Sequence, residues 1–223
     1  MASLDASLDQ LFTQHPSIKA IRPSSADFDT TKTTFVRLDY QPSVIARPQS
    51  SEHVAILVSH CVAHNIDFVV RVGGHDPLGR STIPNGLQID LRDITHIHIA
   101  EDRKTARIGG GICNGDLLAA LNAQGLTCAS PTVSSVGFVG WATYGGYGPL
   151  SPSFGLGLDQ IVAAKVVDAE GKLVEADEKR LTGIRGAGGN FGIITEVTIK
   201  VHPEEPVYPY FVLPFLSYTS NVH

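Results

Sequence analysis

Apolar positions near the start of the chain recur at helical spacing. Leu4, Leu8, Leu11 and Phe12 predict a short amphipathic helix, and the Ser/Thr/Asp-rich residues 24–34 that follow read as loop. Val44, Ile45 and Ala46 form a short strand stopped by Arg47-Pro48. Ser51 is the expected cap of the next helix, with Glu52 in the first turn, where the helix dipole favours negative charge. Val54, Leu57, Val58 and Cys61 then fall at i, i+3, i+4 and i+7, one apolar face that ends near Asn65. Residues 67–72 are apolar and β-branched, a buried strand that runs into two glycines.

Further along, Leu87, Ile89 and Leu91 alternate with Gln88 and Asp90, the pattern of a half-buried strand. Residues 96–99 and 105–109 flank the polar turn Glu101-Asp102-Arg103-Lys104 and predict a hairpin. Asn114 is the expected cap of a helix whose face is Leu117, Leu118 and Leu121 and whose stop is Gly125. Residues 161–167 and 193–201 read as strands, and residues 178–184 as a short helix. From His202 onward Pro203, Pro206, Pro209 and Pro214 mark a connection. Helices and strands interleave without a regular βαβ rhythm and without an internal repeat, so the class is α+β rather than doubly wound.

The balance of residues narrows the partners. With 223 residues, 43% hydrophobic and 17% charged, the chain can bury a sizeable core and is not of disordered type. A net charge of −5 gives no support for a nucleic-acid or acidic-membrane partner. Cys61, Cys113 and Cys128 are odd in number and widely spaced, as expected of reduced thiols that pack rather than react. The first residues have neither a basic start nor an apolar run, so no secretory signal and a cytoplasmic location are expected. Between Leu117 and Leu158 there is not one charged side chain, yet polar residues and glycines interrupt the span too often for a membrane helix. Such a segment has to lie against something other than water, an early hint of a buried ligand.

Three glycine patches carry the chemistry. In Arg71-Val72-Gly73-Gly74-His75-Asp76 a strand meets a Gly-Gly pair, whose backbone N–H groups can form an anion nest. Arg71 offers a planar fork suited to phosphate, and His75 stands at the lip as a nucleophile. Taken by itself, the hexapeptide is equally a hairpin turn with an incidental histidine. The second patch has glycines at 137, 140, 145, 146 and 148, too dense for a regular element, and suits close approach of backbone to a flat or phosphorylated ligand; the alternative is a glycine-rich loop in an all-protein core. The third, residues 185–194, joins a helix to a strand and offers backbone donors. Neither the Rossmann fingerprint, the P-loop nor a GxSxG elbow is present. His53, His60 and His64 share a helical face, and His96 and His98 point one way on a strand; neither set completes a metal site, and solvent-facing rings are expected.

Taken in order, these motifs resemble the FAD-binding domain of the vanillyl-alcohol oxidase / p-cresol methylhydroxylase (PCMH-type) flavoproteins, and within it the berberine-bridge-enzyme-like oxidases and 6-hydroxy-D-nicotine oxidase. The motifs are Ile45-Ala46-Arg47-Pro48, the Arg71–His75 turn, Ile89-Asp90-Leu91, residues 106–111, Val136-Gly137 with Gly140, Gly145-Gly146 with Gly148, Gly155 with Asp159, and residues 185–193. The resemblance implies a fold of two α+β subdomains over residues 35–203, after an N-terminal helix and loop (residues 1–34), with FAD stretched between them. It implies that residues 71–76 hold the pyrophosphate and that His75 carries an 8α-histidyl bond to the flavin. Val136, Gly137 and Gly140 would then line the flavin side, with Gly145 and Gly146 in the same loop, and Gly192 and Ile193 would meet the adenine end. Relatives with a second covalent link place a cysteine where Val133 stands here, so a single link through His75 is expected.

Relatives in this family continue into a substrate domain, and residues 204–223 read as a truncated connection to it. The resemblance thus implies an FAD-dependent oxidase that takes a hydride from an alcohol or amine C–H of a small molecule and is reoxidised by dioxygen. Two alternatives stand beside it: a cofactor-binding module without turnover of its own, such as half of a complex whose partner chain supplies the missing domain, and a cyclase or isomerase without net redox change. Trp141, Tyr144 and Tyr147 are candidates for the exposed flavin face, and an uncovered face predicts an exposed apolar patch there. No residue is assigned as the substrate base.

Overall fold

A computed structural model describes residues 4–204. In chain order the first elements are α1 (Leu4–Gln14), β1 (Lys19–Ile21), α2 (Phe28–Lys32), β2 (Val44–Arg47), α3 (Ser51–His64), β3 (Phe68–Arg71) and β4 (Leu87–Asp90). Their strands form a four-stranded sheet in the order β1-β2-β4-β3. β4 runs parallel to both neighbours, with Ala46 and Val70 opposite Ile89, while β1 joins antiparallel at the edge. α1 and α3 cover one face of this sheet. Leu8, Leu11, Val54, Leu57 and Val58 pack with Val44, Ala46, Leu87 and Ile89, all essentially excluded from water.

The next elements are β5 (Ile97–Ile99), β6 (Thr105–Gly109), α4 (Asn114–Asn122), β7 (Leu126–Thr127), α5 (Phe138–Ala142), α6 (Ser151–Phe154), α7 (Gly157–Gln160), β8 (Ile161–Val167), β9 (Leu173–Glu175), α8 (Glu178–Ala187), β10 (Ile193–Lys200) and β11 (His202–Pro203). A second, antiparallel sheet has the order β5-β6-β10-β8-β9 and carries a separate core built on Ile108, Leu117, Leu121, Phe138, Ile161 and Val197. The first core reaches the second sheet at Val167 and Ile193. α3 forms part of that seam, with Ser51 Oγ donating to Thr195 Oγ1 at 2.8 Å. Two cores on two sheets of different kind make the α+β architecture expected from the pattern.

Several local expectations are corrected. Residues 24–34 are not all loop: Phe28, 2% exposed, packs with Ile21 and Ile45 and so holds the single turn of helix α2 against the second face of the sheet. β4 is not half-buried; all four residues are inside, because helices cover one face and α2 with the arginines Arg71 and Arg92 covers the other. The cap of α3 is Ser50, whose hydroxyl accepts the His53 N–H, and the helix ends on Asn65 in the left-handed region (φ 52°). Asn114 does not cap α4 but lies in its first turn, buried, donating its amide to Pro131 O at 2.9 Å, while Cys113 takes the cap position. The second glycine patch is interrupted by a regular element after all, since Gly140 sits inside the five-residue α5.

The histidines are not simply solvated. His60 Nε2 meets Ser7 Oγ at 3.0 Å and His53 Nε2 meets Ser17 Oγ at 3.2 Å, so α3 uses them to seat the N-terminal segment. His96 pairs with Glu196 across the second sheet at 2.8 Å. Among the described residues no group of three side chains could hold a metal ion, and no helix is long and apolar enough to cross a membrane. Burial pushes the thiols of Cys61 and Cys128 up to about 12, which makes them packing groups. The proline-rich stretch beyond residue 204 lies outside the described residues.

Candidate functional site

β3 delivers Arg71 to the carboxyl end of a parallel strand, the end at which open α/β sheets bind their ligands. Leu91 N–H donates to Arg71 O at 2.9 Å and locks the last ladder position before the chain turns. Gly74 then takes φ 70°, a conformation open to glycine at no steric cost, and its carbonyl accepts the Phe35 N–H at 2.9 Å. The turn is pressed onto the second glycine patch. A Cβ on Gly73 would stand 2.3 Å from Ser135 O and 2.5 Å from Gly137 N; one on Gly137 would stand 2.6 Å from Val72 Cγ1. Only bare backbone on both sides permits this approach.

His75 emerges half-buried between two partners. Its Nε2 lies 2.8 Å from Ser135 Oγ, and its ring stacks beside the Phe35 ring at 5.4 Å with 21° between the planes. Among the described residues, the main-chain N–H groups of Gly73, Gly74 and His75 have no protein acceptor. The same holds for Gly145 and Gly146, at φ 112° and 76°. Such unfilled donors on a concave turn are the mark of an anion site.

The Arg71 guanidinium is buried (3% exposed) and donates to the carbonyls of Thr31 and Thr33 at the end of α2, while its Nε, without a partner among the described residues, lies 3.0 Å from a Cβ projected on Gly74 of the turn. Burial, with Arg92 beside it, pushes its pKa down to about 10, so it stays charged at neutral pH. Beneath it Asp90, fully buried, grips Arg92 through a 2.6 Å ion pair, and Arg92 reaches Thr31 O as well. The two arginines thus brace the turn from behind. Asp76 is also occupied. Arg80 donates to it through both its side chain and its N–H at 2.6 Å, which holds the carboxyl below its ordinary range.

The patches meet in series. The first touches the second at Gly73 and Gly137, and the second touches the third where Gly186 N–H donates to Thr143 O at 2.9 Å and Gly188 abuts Tyr144. Val136 is half-buried beside Gly137, and nothing stands within 4 Å of a Cβ projected from Gly140 or Gly145. At the far end Gly192 is squeezed against β8, where a Cβ would lie 2.5 Å from Val167 O, and its N–H is used at Gly189 O. Ile193 pairs with Val167 and is buried. Tyr144 and Tyr147 are 56% and 76% exposed, while Trp141 is half-buried and donates to Tyr147 O.

Two residues beside the histidine, Ser135 and Phe35, were invisible to motif reading. Ser135 sits in a Ser/Thr run with nothing to single it out, and Phe35 follows a polar stretch 40 positions from its partner. An extended, flat, doubly phosphorylated cofactor fits what the turns offer: free N–H donors, backbone without Cβ, and a ring nucleophile at the lip.

The comparisons agree with that chemistry. Residues 42–177 match the family model described as FAD binding domain. The FAD-linked oxidoreductase aurO of Gibberella zeae is 35% identical over 221 residues, which is 98% of this chain and 44% of that protein. Among solved structures, 6-hydroxy-D-nicotine oxidase from Arthrobacter nicotinovorans superposes with a TM-score of 0.80 at 36% identity, covering 83% of this chain and 42% of that one. The berberine-bridge-enzyme-like protein BBE-like 1 of Physcomitrella patens gives 0.82 at 30% identity over 88% of this chain and 44% of its own. The chain spans less than half the length of these relatives. With the family model matched over more than half its residues and a PCMH-type structural likeness over 83% of the chain, it belongs to the FAD-binding-domain family of the FAD-linked oxidoreductases.

Proposed function

We propose that this chain holds FAD, covalently through His75, as the cofactor part of an oxidase acting on a C–H next to oxygen or nitrogen in a small organic substrate. The observation that carries the reading is the set of acceptorless N–H groups at Gly73, Gly74 and His75, pressed against the Ser135–Gly137 loop. Those donors, with the Val72 and Asp76 backbone on either side, would neutralise the pyrophosphate. Val136, Gly137 and Gly140 would line the flavin side, Gly145 and Gly146 would continue that wall, and Gly192 and Ile193 would border the adenine end. Bound there, the flavin supplies hydride acceptance and electron delivery to dioxygen. Arg71 and Arg92 keep the turn rigid, and Tyr144 with Tyr147 would border the exposed ring face. A glucooligosaccharide oxidase from Acremonium strictum, 26% identical, is described as carrying an 8α-N1-histidyl FAD, which supports the covalent link.

A second reading is a cofactor-holding module that turns over only with a substrate domain supplied by a partner chain. It is favoured by the openness of the rings that border the site, Phe35 at 71% and Tyr147 at 76% exposure. Purified chain incubated with FAD in air should become yellow and keep its colour in the acid-precipitated pellet. His75→Ala should bind FAD reversibly and lose the colour on precipitation. Chain that stays colourless overturns both readings, and oxygen uptake with simple alcohols and amines separates them.

A further inference from the structure

We infer that Ser135 is a positioning residue that sets which nitrogen of His75 forms the flavin bond. The inference rests on the covalent reading above. Nε2 of His75 lies 2.8 Å from Ser135 Oγ, and among the described residues Nδ1 has no protein partner. Phe35 closes one face of the ring and is itself tied to the turn through its N–H on Gly74 O, so the imidazole has little freedom to swing. Ser135 is equally fixed, since its carbonyl packs directly on Gly73 and the Val136 N–H closes a turn onto Val133 O at 3.2 Å.

A neutral imidazole has one N–H and one lone pair, and the group bonded to one nitrogen selects what the other presents. With Nε2–H donating to Ser135 Oγ, Nδ1 turns its lone pair toward the ligand. In the linking step a bond forms between Nδ1 and the 8α carbon of the flavin, and a C–H bond at that carbon breaks, its proton leaving to solvent. The imidazole, now substituted at Nδ1, releases its Nε2 proton, which Ser135 takes up and passes on to water, its side being exposed. The two electrons left in the flavin ring go to dioxygen, which with the two protons becomes hydrogen peroxide.

The test compares Ser135→Ala and Ser135→Thr with the parent chain, each incubated with FAD in air, following acid-stable yellow colour against time. Ser135→Ala should link FAD about tenfold more slowly, the weight of one hydrogen bond to a reacting group. Ser135→Thr, which keeps the hydroxyl, should restore the rate. Reversible FAD affinity, measured by fluorescence quenching with His75→Ala as background, should be the same with Ser or Ala at 135. Nitrogen NMR of the flavin-free parent should place the His75 proton on Nε2. A Ser135→Ala chain that links at the parent rate, or a parent proton on Nδ1, overturns the inference while leaving the covalent reading intact. A parent chain that binds FAD but never retains it in acid overturns the covalent reading and the inference with it.

Discussion

At Gly73 and Gly137 backbone lies against backbone, closer than any side chain would allow, whereas around Gly140 and Gly145 nothing stands within 4 Å of a projected Cβ. Both pairs border the same site. The first pair is glycine because the protein itself fills the space; the second faces space the protein leaves open. A glycine-rich sequence therefore has two uses here, to let the chain close on itself and to let something else come close. Only the second is a direct sign of a ligand.

The largest effect expected from this contrast is at Gly73. In Gly73→Ala the new methyl meets Ser135 O and Gly137 N, both main chain and unable to rotate away, so unfolding in urea should show a loss of about 3 kcal/mol. If stability is kept, the close seam between the two turns is wrong. Gly140→Ala should behave oppositely. Its exposed position inside α5 predicts a gain of up to about 1 kcal/mol in the same assay, because alanine is the better helix former. Reversible FAD binding should nonetheless weaken by about tenfold if the open space belongs to the cofactor. Unchanged affinity would reassign that space to solvent.

The smallest effect lies away from the site, where α1 sits on α3. Burial, and then the like charge of His64, hold the His60 pKa below its ordinary 6.5, against the raising effect of the Ser7 bond. The rings of His60 and His64 stack at 4.0 Å, and His15 adds a weaker repulsion. The folded state thus prefers neutral His60. Its contribution is complete above 6.5 and is lost as the pH falls below that value toward the folded pKa. The thermal midpoint should drop from about pH 7.5 to about pH 5.5, and less steeply in His60→Gln. Identical slopes would show that the seam does not sense this proton, leaving the glycine turns as the more sensitive region.

Much of the scaffold was legible because its signals are local. The face of Val54, Leu57, Val58 and Cys61 is the buried face of α3, and the polar turn at residues 101–104 does separate β5 from β6. The misreadings share a cause. Phe28 and Thr31 make a helix of a polar stretch only because Ile21 and Ile45 are there to receive them. Gln88 and Asp90 look solvent-facing in alternation with Leu87 and Ile89, yet the parallel sheet has a second cover. Asn114 has the residue type of a cap, but it falls one position inside α4, where its Nδ2 donates to Pro131 O, its Oδ1 caps nothing, and Cys113 stands at the cap position.

What the amino-acid order decided unaided is where backbone is left bare, where charge is missing between Leu117 and Leu158, and that a histidine follows the Gly-Gly pair. The tertiary structure alone decided which bare backbone is covered by other backbone and which stays open. It also set the Arg71 guanidinium between α2 and Gly74 and brought Ser135 and Phe35 to the imidazole. The reason is physical: a missing Cβ carries no information about what will occupy its place. A long, forked cation can likewise bond on either side of the strand that bears it, and only the fold brings the Thr31 and Thr33 carbonyls to two of the Arg71 nitrogens while leaving its Nε unpartnered.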